Sequence, residues 1–188
     1  MKIFFDTEFT GLHQQTTLIS IGLVSEDGRN FYAECYDYDP AQLNPWIAEN
    51  VLAHLQFTDP AMQDKTWGDR ASFRACCSVR DLPGMLRVWL HQFLAVEMWG
   101  DCCAYDWVLF CELFGGALSL PGQVSIYPRD LAMLLEQAGL DIDLGRRTFA
   151  GRIGAAQHHA LADARVIQGC YQQALAYRDG NQEEEEDG

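Results

Sequence analysis

Asp6 and Glu8 stand one position apart directly after the apolar run Ile3-Phe4-Phe5, and Gly11 follows shortly after. On a strand, alternate side chains share a face, so both carboxylates would project together from its end. Two adjacent carboxylates repel and favour protonation unless a cation lies between them. Hard divalent cations such as magnesium take such oxygen ligands. A D-x-E alone is equally compatible with a solvated turn. Acids recur in two more places. Asp106 follows the apolar stretch ending at Trp99 and opens a helix, where an N-cap is the ordinary role. Asp163 falls in the first turn of the last helix, with His158 five positions ahead of it. Four carboxylates and one histidine at element ends suit a metal site of the kind that α/β folds assemble where strands terminate. Two ions roughly 3.5–4 Å apart could activate water for in-line displacement at phosphorus, and a neutral histidine could take the proton.

The elements that must position these residues can be read in outline. Residues 3–5 are the strand-forming run of a first strand that ends at the acids, and 18–24 form a second, apolar enough to be buried on both faces. Asp27-Gly28 signals a hairpin into a third strand at 30–34, giving an N-terminal antiparallel meander. Asn44-Pro45 precedes an amphipathic helix over 46–55. Residues 56–80 show no clear period. A helix is expected at 82–94, a strand at 96–99, a helix from 106 or 107 to 113, a strand at 124–127 and a helix at 129–138. Residues 141–154 read as a polar loop, in which Arg146, Arg147 and Arg152 could meet a phosphate or simply face solvent. A last helix spans 160–177. One domain over 1–178 and an acidic, disordered tail over 179–188 are expected.

The chain of 188 residues carries 27 acidic and 13 basic side chains, a net charge of −14; five negatives lie in Glu183–Asp187, leaving about −9 for the body. This is not the basic footprint of a protein that grips long nucleic acid by phosphate neutralisation, and it would suit a small substrate better. The seven cysteines form no C-x-x-C and are odd in number, which argues against a disulfide framework and a zinc knuckle. With no basic-then-apolar leader and no run of roughly 18–20 apolar residues, a soluble, cytoplasmic protein is expected, with no membrane partner.

Taken together, the three acidic segments resemble the histidine-bearing branch of the DEDD-type 3′-5′ exonucleases. Asp6-Thr7-Glu8-Phe9-Thr10-Gly11-Leu12 is similar to the first motif, D-x-E followed by T-G-L. Tyr105-Asp106-Trp107 is similar to the second, and His158-His159-Ala160-Leu161-Ala162-Asp163-Ala164 matches H-x-A-x-x-D-A at each fixed position. The compact length and the 46–55 segment most resemble the small exoribonucleases of the RNase AS type, which act on adenylated RNA. The resemblance implies an RNase H-like α/β fold, a mixed sheet with an antiparallel meander and parallel strands flanked by helices. It implies Asp6, Glu8, Asp106 and Asp163 as ligands of two Mg2+ ions, with Mn2+ as a substitute, and His158 rather than His159 as general base. Phe9, Thr10, Gly11 and Leu12 would hold the terminal nucleotide, and Trp107 is either a stacking platform or a core aromatic. The implied substrate is single-stranded nucleic acid, RNA favoured, with 5′-mononucleotide products and a homodimer as the assembly. A DNA exonuclease and a small-nucleotide phosphodiesterase on the same fold are alternatives. A non-catalytic binding module would be expected to lack some of these ligands.

Overall fold

The hydrophobic run behind Asp6 sits in the middle of a mixed sheet. The computed structural model describes residues 1–152 and 156–186. Strand β1 (Lys2–Phe9) pairs antiparallel with β2 (Leu18–Ser25), which pairs antiparallel with β3 (Asn30–Cys35). Helix α1 (Pro45–Asn50) follows, then β4 (Lys65–Gly68) and β5 (Ser72–Cys77). Next come α2 (Leu82–Leu90), β6 (Glu97–Gly100) and α3 (Ala104–Glu112). The chain ends with β7 (Arg129–Asp130), α4 (Leu131–Gln137), the short α5 (Arg146–Phe149) and the long α6 (Ala160–Glu186). Among the described residues the sheet has seven strands in the order β4-β5-β3-β2-β1-β6-β7. Strand β6 runs parallel to β1 and β7 parallel to β6. This is a mixed α/β arrangement, a meander extended by parallel strands and flanked by helices.

Strand alternation divides β1 between two cores. Ile3 and Phe5 pack with α2 and α3 residues such as Leu86, Leu90 and Phe110. Phe4 faces the other way, onto Leu131, Leu135, Val166, Ile167 and Cys170 of α4 and α6. Ile3, Phe4 and Phe5 are at most 1% exposed, each contributing roughly 1.5–3 kcal/mol of burial. Asp6 and Glu8 share Phe4's side, the side covered by α6.

Several expectations for the flanking elements are corrected. Residues 56–80 are not irregular throughout: β4 and β5 form an edge hairpin, with β5 parallel to β3 and burying Ala75, Cys76 and Cys77. The expected strand at 124–127 is reduced to a single bridge between Val96 and Val124, and the strand forms at Arg129–Asp130 instead. The helix expected over 46–55 ends at Asn50 and continues as a 3-10 turn at Leu52–His54. Helix α2 stops at Leu90, leaving Leu94 fully exposed. The polar loop at 141–154 contains α5, and its last two residues lie outside the described ones. Helix α6 runs past its expected end at Tyr177 to Glu186; glutamine and glutamate are good helix formers, and no proline interrupts them. Residues 187–188 lie outside the described ones. Among the described residues, no helix is long and apolar enough to cross a membrane.

Candidate active site

The site is built where α6 begins against the sheet. Asp6 on β1 lies beside Gly22 on β2 in the ladder. A Cβ on Gly22 would sit 2.3 Å from Leu161 N and 2.4 Å from Ala160 C, so the first turn of α6 rests directly on the glycine backbone. This close approach brings Asp163 to the acids of β1. One carboxylate oxygen from each of Asp6, Glu8 and Asp163 falls within a group 4.8 Å across. The helix start is fixed reciprocally. The backbone N–H of His159 donates to Asp163 Oδ2 at 3.1 Å, and Ala162 N–H donates to His159 Nδ1 at 3.4 Å. Asp163 is therefore both a helix-capping group and a member of the acidic cluster.

Asp106 arrives from the other side of the sheet. It lies within α3 rather than at its cap, and its Oδ1 accepts from the backbone N–H of Thr7 at 2.9 Å and from the Thr7 hydroxyl. Thr7, between the two acids of β1, thus holds the third one in place. Asp6, Glu8, Asp106, Asp163 and His158 all line one cleft of about 640 Å³. Its remaining wall comes from Phe9, Gly11, Leu12, Asn44, Trp46 and Arg147, among others.

Trp46 owes its position to the turn before it. Asn44 caps α1 by accepting from Ile47 N–H at 2.9 Å, and Pro45 follows as the first helical residue, a pairing suited to starting a helix. Trp46, 54% exposed, meets the His158 ring edge-on at 4.9 Å. His158 itself holds a left-handed backbone, φ 52°. The adjacent His159 points away. It stacks on buried Tyr32 at 4.6 Å, and its Nε2 lies 2.8 Å from the Gln56 amide. Burial lowers the pKa of His159.

Thr10 and Trp107 do not line the cleft. Thr10 is 1% exposed and joins the hydroxyls of Thr16 and Thr17 and the Gln42 amide, so it braces the turn. Trp107 packs against Phe5 and Phe110. Of the loop arginines, Arg146 grips Asp101 with two bonds of 2.7 and 3.1 Å and the carbonyls of Ile142 and Leu144. Arg147 pairs with Asp163 inside the cleft, and Arg152 is exposed. Trp46, Asn44 and Thr7 carried no chemical signal in the sequence beyond helix or strand membership.

Burial and mutual repulsion push the acids toward protonation. Asp6 is held well above the usual carboxylate range, first by burial and then by Asp106, Glu8 and Asp163. Glu8 is pushed up to about 8 by burial, Asp163 and Asp106, with Arg147 opposing. Burial also raises Asp106 and Asp163, against the Thr7 bonds in one case and Arg147 in the other. Asp6, Glu8 and Asp163 thus bring three carboxylate oxygens together in a setting where burial opposes their charge. Buried charged groups without partners are costly, and a divalent cation between hard oxygen donors would relieve that cost. The residues present therefore fit such an ion.

A family model described as the 3′-5′ exoribonuclease Rv2179c-like domain matches residues 1–175. Two curated relatives come from Mycobacterium tuberculosis. They are named 3′-5′ exoribonuclease MT2234.1 (strain CDC 1551 / Oshkosh) and 3′-5′ exoribonuclease Rv2179c (strain H37Rv), and each is 35% identical over 139 residues, covering 74% of this chain and 76% of the relative. Among solved structures, the Neurospora crassa Pan2 catalytic unit (protease and nuclease domain) aligns with a TM-score of 0.45 and 15% identity, over 96% of this chain and 28% of that one. With an acidic cleft at the start of α6 and a family match over nearly its whole length, the chain belongs to the Rv2179c-like 3′-5′ exoribonuclease domain family.

Proposed function

We propose that the chain is a two-metal-ion, magnesium-dependent 3′-5′ exoribonuclease that releases nucleoside 5′-monophosphates from single-stranded RNA. The observation that carries this reading is the meeting of Asp6, Glu8 and Asp163 within 4.8 Å, in a cleft they share with Asp106 and His158. Bound divalent ions would supply charge neutralisation and an acidified water at the scissile phosphate. Asp6, Glu8, Asp106 and Asp163 would hold them. His158 faces the same cleft, and a ring nitrogen takes the proton of the attacking water. The water oxygen bonds to phosphorus, the P–O3′ bond breaks, and the shortened RNA leaves with a 3′-hydroxyl. Trp46, Phe9 and Leu12 offer apolar surface for the terminal nucleotide, so the chain end rather than an internal phosphate is favoured.

The test is a 5′-labelled RNA oligomer with magnesium, compared with Asp6→Asn, Asp163→Asn and chelator. The wild type should give a ladder shortening from the 3′ end, and each change should abolish it. Retained cleavage in both variants would sink the assignment of the site. A DNA oligomer of equal sequence tests the DNA alternative, since only RNA presents a 2′-hydroxyl. Oligomers ending in adenine against other bases test a preference for adenylated ends.

The net charge of −14 favours a second, narrower reading, in which short oligomers or small phosphodiesters are the better substrates. A length series decides it, because a narrow preference makes kcat/KM fall as the RNA lengthens. A homodimer and a cytoplasmic location belong to the same proposal. They are supported by the family resemblance and by the seven free cysteines, respectively. Sedimentation giving only monomer at micromolar concentration would remove the dimer.

A further inference from the structure

His158 holds a left-handed backbone, φ 52°, a region that residues with a Cβ seldom enter and keep only when their surroundings fix them there. Its ring meets half-exposed Trp46 edge-on. The firmer restraint comes from the residue that follows. The His159 ring lies 4.6 Å from Tyr32, tilted by 15°, and its Nε2 meets the Gln56 amide at 2.8 Å. The His159 backbone N–H donates to Asp163 Oδ2 at 3.1 Å, and its carbonyl accepts from the N–H groups of Ala162 and Asp163 at 2.8 and 3.0 Å. With His159 pinned through ring and backbone alike, the residue just ahead of it has little freedom.

Both partners of that ring are fixed by one carboxylate that the reaction leaves unused. Glu34, on β3 and 3% exposed, accepts the Tyr32 hydroxyl at 2.7 Å and the Gln56 backbone N–H at 2.6 Å on Oε1. Its Oε2 accepts the Phe57 N–H at 2.9 Å. A buried carboxylate needs such donors, and these three join the sheet residue beneath His159 to the segment beside it. Tyr32 and Gln56 are thereby held in one frame, and the imidazole rests against both. We propose that Glu34, Gln56 and His159 form a positioning bracket that holds His158 in its left-handed conformation and so fixes where the general base stands in the cleft. None of the three touches the reacting atoms. The consequence for catalysis rests on the exoribonuclease reading; the placement of the ring does not.

The test removes the Gln56–His159 bond in the full chain. Gln56 is exposed, and Gln56→Leu and Gln56→Ser both keep the backbone N–H that Glu34 accepts, so each should melt within about 3 °C of wild type. Nuclear Overhauser cross-peaks between the His158 and Trp46 rings, recorded without RNA, read the placement directly. In both variants they should weaken about threefold or more, because the effect falls with the sixth power of distance and a release of ~1 Å is enough to harm catalysis. Single-turnover rates on labelled RNA at saturating magnesium read the consequence. Gln56→Leu should lower the rate about tenfold, a part of the roughly 100- to 10,000-fold that a general base supplies, with the half-saturating RNA concentration within about twofold of wild type. In a His158→Ala background the same substitution should change the rate by less than about twofold, since a residue acting only through His158 has nothing left to position. A merely structural role would lower the melting temperature and act equally in both backgrounds. Unchanged cross-peaks in both Gln56 variants overturn the bracket, and a rate loss that persists without His158 overturns its action through the base. If the wild type cleaves no RNA, or His158→Ala cleaves as fast as wild type, the exoribonuclease or general-base reading fails, while the cross-peaks still decide the bracket.

Discussion

Replacing Gly22 by alanine should disable the site without touching any residue in it. The added Cβ would lie 2.3 Å from Leu161 N, 2.4 Å from Ala160 C and 2.4 Å from Leu161 Cα. All three are backbone atoms, so no side chain can rotate out of the way. Ordinary carbon contacts lie near 3.5 Å, and the first turn of α6 must retreat by about 1 Å. Gly22 pairs with Asp6, so this displacement separates Asp163 from the acids of β1. Overpacking of this kind costs about 1–3 kcal/mol. For a chain of this size that lowers the melting temperature by roughly 2–12 °C. A misplacement of about 1 Å at the reacting groups costs on the order of 100-fold in rate. The assay is the initial rate on labelled RNA at saturating magnesium, beside a thermal melt. Gly84→Ala is the control, because nothing lies within 4 Å of its added Cβ and a helical alanine is neutral or stabilising by up to ~1 kcal/mol. Wild-type rate and melting temperature in Gly22→Ala would refute the claim that this glycine sets the distance across the site.

Thr7→Val removes the hydroxyl that Asp106 accepts and leaves the backbone N–H at 2.9 Å; stability should fall by about 1–2 kcal/mol and kcat by roughly tenfold, read by denaturant melts and turnover. The metal-free protein should lose stability as pH rises. The folded-state pKa of Glu8 stands raised, near 8 against 4.5 unfolded, so its contribution is fully present below about 4.5 and lost as pH climbs toward 8. Saturating manganese should reverse that slope, and a melting temperature independent of pH in chelator would count against the buried cluster. Trp46→Ala, at a half-exposed position, should raise KM for RNA about tenfold with little change in melting temperature, and a large loss of stability instead would assign Trp46 to packing.

The meeting of the acids was legible because it follows from short local patterns. The alternation that puts Asp6 and Glu8 on one face follows from strand geometry, and the H-x-A-x-x-D-A segment places Asp163 in a first helical turn. The meander β1–β3 was legible for the same reason, since its hydrophobic runs are long and Asp27-Gly28 marks the turn. The edge hairpin β4–β5 was not, because β4 is exposed throughout and β5 buries alanine and cysteines rather than branched aliphatics. The partners of Asp106 and Asp163 were hidden too. Thr7 and Asp106 are 99 positions apart, and a loop arginine such as Arg147 carries no mark of the acid it will meet. Thr10, a residue of the first motif, places its hydroxyl among those of Thr16 and Thr17 in the turn, contacts that its place in the sequence did not announce.

The seating of α6 on Gly22 also bears on the order in which the molecule becomes competent. A chain made from its N-terminus has β1, β2 and β3 in hand long before α6 exists, and their pairings are local in sequence. The helix that supplies Asp163, with His158 just ahead of its first turn, is also the cover over Phe4, Tyr32 and Val24. Until it docks, the sheet has an open apolar face and the acids of β1 have no partner across the cleft. Docking of α6 is therefore the step that arms the nuclease, and a chain lacking α6 should be inert as well as unstable.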